Sequence, residues 1–328
     1  MTSGMIRATC AAGVVAALAA GAATAGAVDA NVFGTYDTPG APGDVRYAYG
    51  ATWVDAPEAG ALMKVTPGAQ APQTIQFPGQ IVDVAEGYGK MWVLWRKGAT
   101  HSLASVNPNA AKIIGSARRT RLPGSPDGLA AGAGAVWASG EGPTSSAKAL
   151  RKKTTLSRVN PRTHKVANRR WPVPTRFFAE KGLLWSFRGL RLQRRAPRTL
   201  ETRGSVKAFS GFNAVTYGLG NFWTSSEGVM NLGGVTKISP TKGRAAPFSF
   251  PNFIDGAGGI ATGNGTVWAL YQENSPGPWS VVGFSPSGTT TNSVDVQIGE
   301  QPAVAYGAGS IWVTDGSGQR LLEVTPPS

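Results

Sequence analysis

One short unit recurs seven times along this chain and constrains its fold more than any other feature. Its full form is a Gly-x-Gly turn, a small or polar residue, an apolar residue and a tryptophan; the copy at residues 49–53 has only the second glycine, and the copy at residues 180–185 is degenerate. Consecutive copies lie 38 to 48 residues apart, close to the length of one four-stranded propeller blade, about 40 to 50 residues. The seven tryptophans are Trp53, Trp92, Trp137, Trp185, Trp223, Trp268 and Trp312.

Strand patterns surround each copy in a constant order. A short apolar strand such as Val82–Ala85 precedes the glycine turn, and the tryptophan strand follows it. A third strand ends in proline, as in Leu103–Pro108, and an outer strand such as Gln73–Phe77 completes the unit. With 44 Gly, 23 Pro and only 15% charged residues, the chain suits short strands and tight turns. The fold class predicted is all-β, a seven-bladed β-propeller with four-stranded blades.

The two ends of the chain are predicted to meet in one blade. The last copy stops at Ser328 directly after its third strand, so its outer strand is missing. Residues 31–36, Asn-Val-Phe-Gly-Thr-Tyr, resemble the other outer strands and precede the first full unit. We expect them to pair with Arg320–Thr325, which closes the ring and leaves no long unpaired edge.

The first thirty residues resemble a secretory signal peptide rather than part of the propeller. Arg7 precedes a run from Ala11 to Ala25 of mostly Ala, Val, Leu and Gly, followed by small-residue cleavage sites at 25–27 and 28–30. The alternative is an uncleaved membrane anchor. Cys10 is the only cysteine and would leave with the signal peptide. The domain prediction is therefore a signal peptide over 1–30 and one propeller over 31–328, secreted and monomeric.

The seven repeat tryptophans are predicted to be core residues that pack blade against blade. Trp95, Trp171 and Trp279 break the register of the repeat. They are predicted to lie in loops or outer strands, where a ligand could stack on them, although simple packing is the favoured role.

The repeat resembles those of the YVTN-type and virginiamycin B lyase-like propellers over residues 31–328. The resemblance implies, for the lyase of that group, histidines and glutamates around a magnesium ion near the ring axis. The corresponding segments here, such as Pro126-Asp127-Gly128-Leu129, contain no histidine. His101, placed in the loop after Trp92, and His164 are predicted to lie on opposite faces of the disc. No Gly-x-Ser-x-Gly elbow or Cys/His zinc spacing follows the signal segment.

Carboxylates gather shortly after the repeat tryptophans, in loops expected to open on one face of the disc. A ring of such oxygen ligands could bind Mg²⁺ or Ca²⁺, or hold a cationic ligand; the alternative is ordinary solvated loop acids. No other cofactor is indicated. The ligand-face candidates are Asp55, Glu58, Glu141, Glu227, Glu273 and Asp315.

Positive charge is concentrated in one sector of the chain. Residues 112–207 contain 22 of the 32 Lys and Arg residues but only four of the 18 Asp and Glu residues, and such a single-sign patch attracts polyanions. The alternative is that the bases only solubilise the rim. The polyanion-binding candidates are Arg118, Arg119, Arg121, Arg151, Lys152, Lys153, Arg169, Arg170, Arg194 and Arg195.

These patterns predict a binding module more than an enzyme. The expected partner is an anionic polymer or surface, such as cell-wall polyanion or acidic polysaccharide, contacted by the basic sector. A dedicated nucleic-acid role is not expected, because the sector lacks regular aromatic interleaving. The alternative is a metal-assisted lyase or hydrolase of the virginiamycin B lyase-like group, using Glu141, Glu227 and Glu273 in place of histidines.

Deletion of residues 31–40 should lower the melting temperature sharply, because the last blade would lose its outer strand. Thermal unfolding of the mature protein with and without the segment measures this. An unchanged melting curve would contradict the closure of the ring by the N-terminal strand.

Overall fold

The computed structural model describes residues 32–115, 120–140, 153–172, 176–180, 182–188, 191–207, 214–226, 234–241, 244–249, 255–272, 278–299 and 302–326. The predicted signal peptide lies outside these ranges. Within them the chain forms 29 strands and no helix, and hence no helix long and apolar enough to cross a membrane.

Seven antiparallel sheets form a ring, as the repeat predicts. Blade 1 contains β2 (Val45–Ala48), β3 (Ala51–Ala56), β4 (Ala61–Val65) and β5 (Gln73–Gln76). Blade 2 contains β6 (Gln80–Gly87), β7 (Lys90–Lys97) and β8 (Thr100–Asn107), and both β9 (Lys112–Ile113) and β10 (Thr120–Leu122) pair with β8 as its outer edge. Blade 3 contains β11 (Gly128–Gly132), β12 (Ala135–Ser139), β13 (Lys153–Val159) and β14 (Val166–Pro172).

The remaining blades repeat this order. Blade 4 contains β15 (Arg176–Glu180), β16 (Leu183–Arg188), β17 (Arg191–Arg195) and β18 (Thr202–Lys207). Blade 5 contains β19 (Ala214–Gly218), β20 (Asn221–Ser226), β21 (Gly234–Ser239) and β22 (Arg244–Ser249). Blade 6 contains β23 (Asp255–Gly263), β24 (Thr266–Gln272), β25 (Trp279–Phe284) and β26 (Thr290–Val296). Blade 7 contains β27 (Val304–Gly307), β28 (Ser310–Asp315), β29 (Arg320–Val324) and β1 (Val32–Asp37).

The N-terminal strand closes the ring as predicted. Strand β1 pairs antiparallel with β29, with Thr35 opposite Leu322. The Tyr36 hydroxyl donates to Glu323 Oε2 at 3.1 Å, and its ring packs 5.9 Å from Trp312. The N-terminal strand β1 and the C-terminal strand β29 are therefore joined by both a hydrogen-bonded ladder and side-chain contacts.

The repeat tryptophans are buried, which confirms their predicted core role. In five blades the indole N–H donates to a backbone carbonyl five residues earlier, at 3.0 to 3.1 Å. That carbonyl belongs to the last residue of the blade's first strand. The bond spans the turn, so each tryptophan fixes its own hairpin while its ring fills the space between blades. The accepting residues are Ala48, Gly87, Gly132, Gly218 and Gly307.

The two glycines of the unit are required for different physical reasons. The second has a positive φ, as at Gly89 (68°) and Gly220 (79°), and the residue before it does too, as at Tyr88 (56°); consecutive positive φ angles are those of a type I′ hairpin turn. The first glycine lies against the next blade. A Cβ at Gly87 would lie 2.7 Å from the Ala131 carbonyl oxygen and 2.8 Å from the Ala131 Cβ.

The apolar core lies mainly in the seams between neighbouring blades. Trp92 and Leu94 of blade 2 pack with Leu129 and Val136 of blade 3 in one cluster. Another cluster joins blade 1 to blade 7, with Val54 and Met63 packed near Trp312. Because no blade buries its face alone, the ring must close before its core is complete.

Gly87→Ala should destabilise the protein by about 1–3 kcal/mol, the usual cost of overpacking a tight contact. Gly204→Ala is the matched control, since Gly204 lies in a strand with open space around its Cβ position. Chemical denaturation of both variants measures the difference. Equal stability of Gly87→Ala and the unchanged protein would contradict the role given to the first glycine.

Candidate functional site

A large cavity runs along the ring axis, bordered by the first strand of every blade. Its volume is about 1630 Å³. We call it the axial cavity. The residues that the seven first strands contribute to it include Tyr47, Asp83, Ala130, Phe178, Thr216, Ala261 and Ala305.

Charged side chains cluster on the wall of the axial cavity formed by blades 1 and 2. Arg46 of β2 donates to Asp44 Oδ2 at 2.7 Å and lies 3.5 Å from both Asp83 and Glu86. The other Asp83 oxygen accepts the N–H of Leu129 in blade 3 at 2.6 Å. This network links three blades at their inner strands, so it holds the cavity wall in place.

Burial changes the acidity of these carboxyl groups. Burial raises the pKa of Asp83, although Arg46 and Arg176 oppose this change. Asp55 is 5% exposed and its Oδ1 accepts the N–H of Asp44 at 2.6 Å. Burial, together with the nearby charge of Asp44, raises the pKa of Asp55 to about 7. Asp55 therefore titrates near neutral pH.

The other two described ligand-face candidates lie in different settings. Glu58 is exposed and accepts a bond from Gln80. Asp315 is buried and accepts from Arg320 Nη2 at 2.6 Å and from the N–H groups of Gly299 and Gly318 at 3.0 Å. Burial raises the pKa of Asp315, but these hydrogen bonds outweigh burial and hold the pKa below its usual value. Asp315 thus fixes a loop, and only Asp55 of the three lines the axial cavity.

The hypothesis of a metal-assisted enzyme depends on three glutamates that the structure does not describe. Glu141, Glu227 and Glu273 lie outside the described residues. Within the described ranges no group of three or more His, Cys, Asp or Glu side chains is placed to hold a metal ion. The predicted Mg²⁺ or Ca²⁺ ring stays a prediction.

The histidines differ from expectation in one respect. His101 lies in strand β8 rather than in a loop, and is buried opposite Arg96 and Leu122. The length of β7 and β8, eight residues each, extends the hairpin past the position where the sequence suggested a loop. His164 lies in the β13–β14 turn, 5.5 Å from the Trp92 ring.

The three tryptophans outside the repeat register are buried. Trp171 lies in the outer strand β14, as predicted, whereas Trp95 lies in the second strand β7 and Trp279 begins the third strand β25. Packing therefore accounts for most of their surface, and Trp279 also borders the axial cavity.

The basic candidates divide into exposed and buried side chains. Arg121, Arg169, Arg170 and Arg194 are exposed. Arg195 is 8% exposed; its guanidinium donates to Ser186 Oγ at 2.9 Å and Thr202 Oγ1 at 2.7 Å and lies 5.1 Å from the Trp171 ring. Arg195 thus ties blade 4 to blade 3. Arg118, Arg119, Arg151 and Lys152 lie outside the described residues, as does the side chain of Lys153.

Sequence reasoning missed Arg46, Asp83 and Arg176 as lining residues of the axial cavity. Each is a charged residue in or beside an apolar first strand, as in Val82-Asp83-Val84. That pattern was the available signal, because a charge in a buried strand needs a partner.

Comparison with solved structures supports the fold. A chain in the crystal structure of the Mitotic Checkpoint Complex is similar at a TM-score of 0.64 and 10% identity, over 98% of this chain and 100% of that chain. BamB from Moraxella catarrhalis is similar at a TM-score of 0.51 and 12% identity, over 87% and 82%. No protein-family model and no curated protein matches the chain. At these identities the likeness shows a β-propeller fold alone, and the YVTN and lyase-like subtype stays a resemblance.

Asp55→Asn should change how stability depends on pH. A raised carboxyl pKa in the folded protein contributes stability below the unfolded value, 3.8, which is lost as the pH rises through about 7. Asparagine keeps the acceptor for the Asp44 N–H and removes the charge. From pH 4 to pH 8 the variant should therefore gain stability relative to the unchanged protein, by up to about 4 kcal/mol at about 1.4 kcal/mol per pKa unit.

Denaturant titrations at several pH values measure this difference. Glu58→Gln is the matched carboxylate-to-amide control on the same blade, since Glu58 is exposed. Parallel stability curves for Asp55→Asn and the unchanged protein would show that Asp55 does not titrate in this range.

Proposed function

We propose that this chain is an exported binding module that contacts anionic extracellular or cell-wall polymer. The contact surface comprises exposed bases on the outer strand of blade 3 and the two outermost strands of blade 4, and we call it the outer basic surface. Its described members are Arg169 and Arg170 on β14, Arg191 and Arg194 on β17, and Lys207 on β18. The observation that carries the proposal is the excess of these exposed bases over the described acidic side chains around them.

Two of the four acids of the basic sector are placed away from the outer basic surface, and a third is paired with another base. Asp127 and Glu180 line the axial cavity. Glu201 pairs with Arg203 at 3.0 Å, and Glu141 lies outside the described residues. The positive charge of the rim is therefore mostly uncompensated by the described carboxylates.

The arrangement within the sheet also favours an anionic ligand. Arg191 lies directly opposite Lys207 across the β17–β18 ladder, and both side chains are exposed. Like charges opposite each other destabilise a sheet. A bound polyanion would relieve the repulsion between Arg191 and Lys207. Solubility alone does not require two bases opposite each other in the sheet.

Export and a binding role have independent support. Residues 1–30 carry the signal-peptide pattern. One solved neighbour belongs to a multi-protein assembly, the Mitotic Checkpoint Complex, so propellers of this shape serve as assembly components. A propeller can host catalysis as well, and the metal-assisted lyase remains the alternative.

Replacing Arg169 and Arg170 by glutamine should lower the salt concentration at which the mature protein elutes from heparin or teichoic-acid resin. Contacts between exposed charges are screened within about 10 Å at 0.1 M salt, so elution by salt reports their number. Arg96→Gln with Lys97→Gln is the matched control, since these adjacent exposed bases end β7 in blade 2.

The control separates a local surface from overall charge. The chain carries a net charge of +14, and both double variants lose the same two charges. If both elute at the same reduced salt concentration, retention reflects net charge and the outer basic surface is not a binding site.

A further inference from the structure

A second cavity lies at the seam between blades 2 and 3. Its volume is about 570 Å³, within the range of about 300–1,000 Å³ usual for small-molecule sites. We call it the seam cavity; none of its described lining residues borders the axial cavity. Those residues are Tyr88, Lys90, Gly134, Asn160, Pro161 and Arg162.

Tyr88 supplies an aromatic surface that is held in place. It occupies the β6–β7 turn with a positive φ of 56°, and its hydroxyl donates to the Ala135 carbonyl of blade 3 at 3.3 Å. The side chain is nevertheless 42% exposed. Because an aromatic face carries partial negative charge, such a fixed ring is suited to pack against the C–H face of a sugar.

Two bases flank the ring. Lys90 Nζ donates to the Pro161 carbonyl at 3.4 Å and lies 5.4 Å from the Trp92 ring, so the ammonium is positioned while two of its three N–H groups remain for a ligand. Arg162 is exposed at the cavity edge. No acid occurs among the described lining residues, so the cavity favours an anionic group.

Asn160 adds a directed polar group. Its Oδ1 accepts the backbone N–H groups of Arg162 and Thr163 at 2.9 and 3.0 Å. These bonds fix the turn that carries Arg162. They also orient the amide, so that its Nδ2 can donate to a ligand oxygen.

We infer that the seam cavity binds one anionic sugar unit, a uronate or sulfated hexose, of an acidic polysaccharide. This inference rests on the proposed function, because it names the chemistry of the polymer. Lys165 continues the basic residues from Arg162 to the start of β14, so a chain seated in the cavity could extend along the outer basic surface. Tyr88 would then distinguish a saccharide from other polyanions of equal charge.

The corresponding turn of blade 5 provides a matched control. Leu219 occupies the position of Tyr88 in the β19–β20 turn, with a φ of 52° and 38% exposure, and it does not line the seam cavity. Tyr49, the corresponding residue of blade 1, is unsuitable, because its hydroxyl bonds to the backbone of Lys90, a lining residue, at 3.1 and 3.2 Å.

Titration calorimetry with a heparin-derived tetrasaccharide tests the inference, with polyphosphate of equal charge as the comparison ligand. Tyr88→Ala should lower the affinity for the tetrasaccharide about tenfold, the scale of one lost aromatic contact. Tyr88→Phe and Leu219→Ala should leave it nearly unchanged, and Arg162→Gln should weaken the binding of both ligands. If Tyr88→Ala is unstable, Tyr88→Leu replaces it, because leucine keeps an apolar side chain without an aromatic face, and the same loss is expected.

Unchanged tetrasaccharide affinity in Tyr88→Ala, or an equal loss of affinity in Leu219→Ala, would overturn the inference. So would equal affinity of the unchanged protein for tetrasaccharide and polyphosphate. The Arg169→Gln, Arg170→Gln variant should bind the tetrasaccharide normally, since neither residue lines the seam cavity. If the outer basic surface does not bind polymer, this would therefore appear only in the retention of the protein on the resin. The tetrasaccharide affinity of the Tyr88 variants would not be affected.

Discussion

The close contact between the first glycine of a repeat and the first strand of the next blade, made in five of the seven blades, is the constraint on which the spacing of those blades depends. Ala48 and Glu180 take this position in blades 1 and 4. At Gly87 the neighbouring backbone leaves no space for a Cβ, while the glycine carbonyl accepts the indole N–H of Trp92 at 3.1 Å. One residue therefore sets both the distance between blades and the shape of its own hairpin. Since the apolar clusters lie in the seams, that distance also sets how well the core is packed.

Two sets of charges in this propeller lie at different distances from the axis and differ in burial. Carboxylates such as Asp83 and Asp55 are buried at the axis, where Arg46 and backbone N–H groups partner them. Exposed arginines lie farther out, such as Arg169 on the outer strand of blade 3 and Arg191 on the third strand of blade 4. Buried charges need partners because desolvation is expensive, whereas exposed bases need none. The axial charges thus hold the fold together, and those of the rim are available to a partner.

The binding proposal and the sugar inference draw on different parts of the same sector. The outer basic surface supplies positive charge but no defined cavity, which suits long-range attraction of an anionic polymer. The seam cavity offers an anchored ring, two bases and an amide in a defined volume. Together the two sites would combine fast association with the polymer and recognition of one of its sugar units. Separate substitutions can disable each site.

The sequence by itself determined the blade number and the strand order, because a repeat with a fixed tryptophan and turn expresses local hairpin geometry. It also indicated the closing strand, since the last repeat lacks an outer strand and residues 31–36 resemble one. It also located the positive sector, since charge is additive along a chain. Only the tertiary structure decided which charges are exposed. Arg195 and Arg194 are adjacent, yet one is buried against Trp171 and the other faces solvent. The axial network and the seam cavity join residues of different blades, such as Asp83 with Leu129 or Tyr88 with Arg162, and such contacts exist only after the ring closes, because no local pattern specifies which side chains meet across a seam.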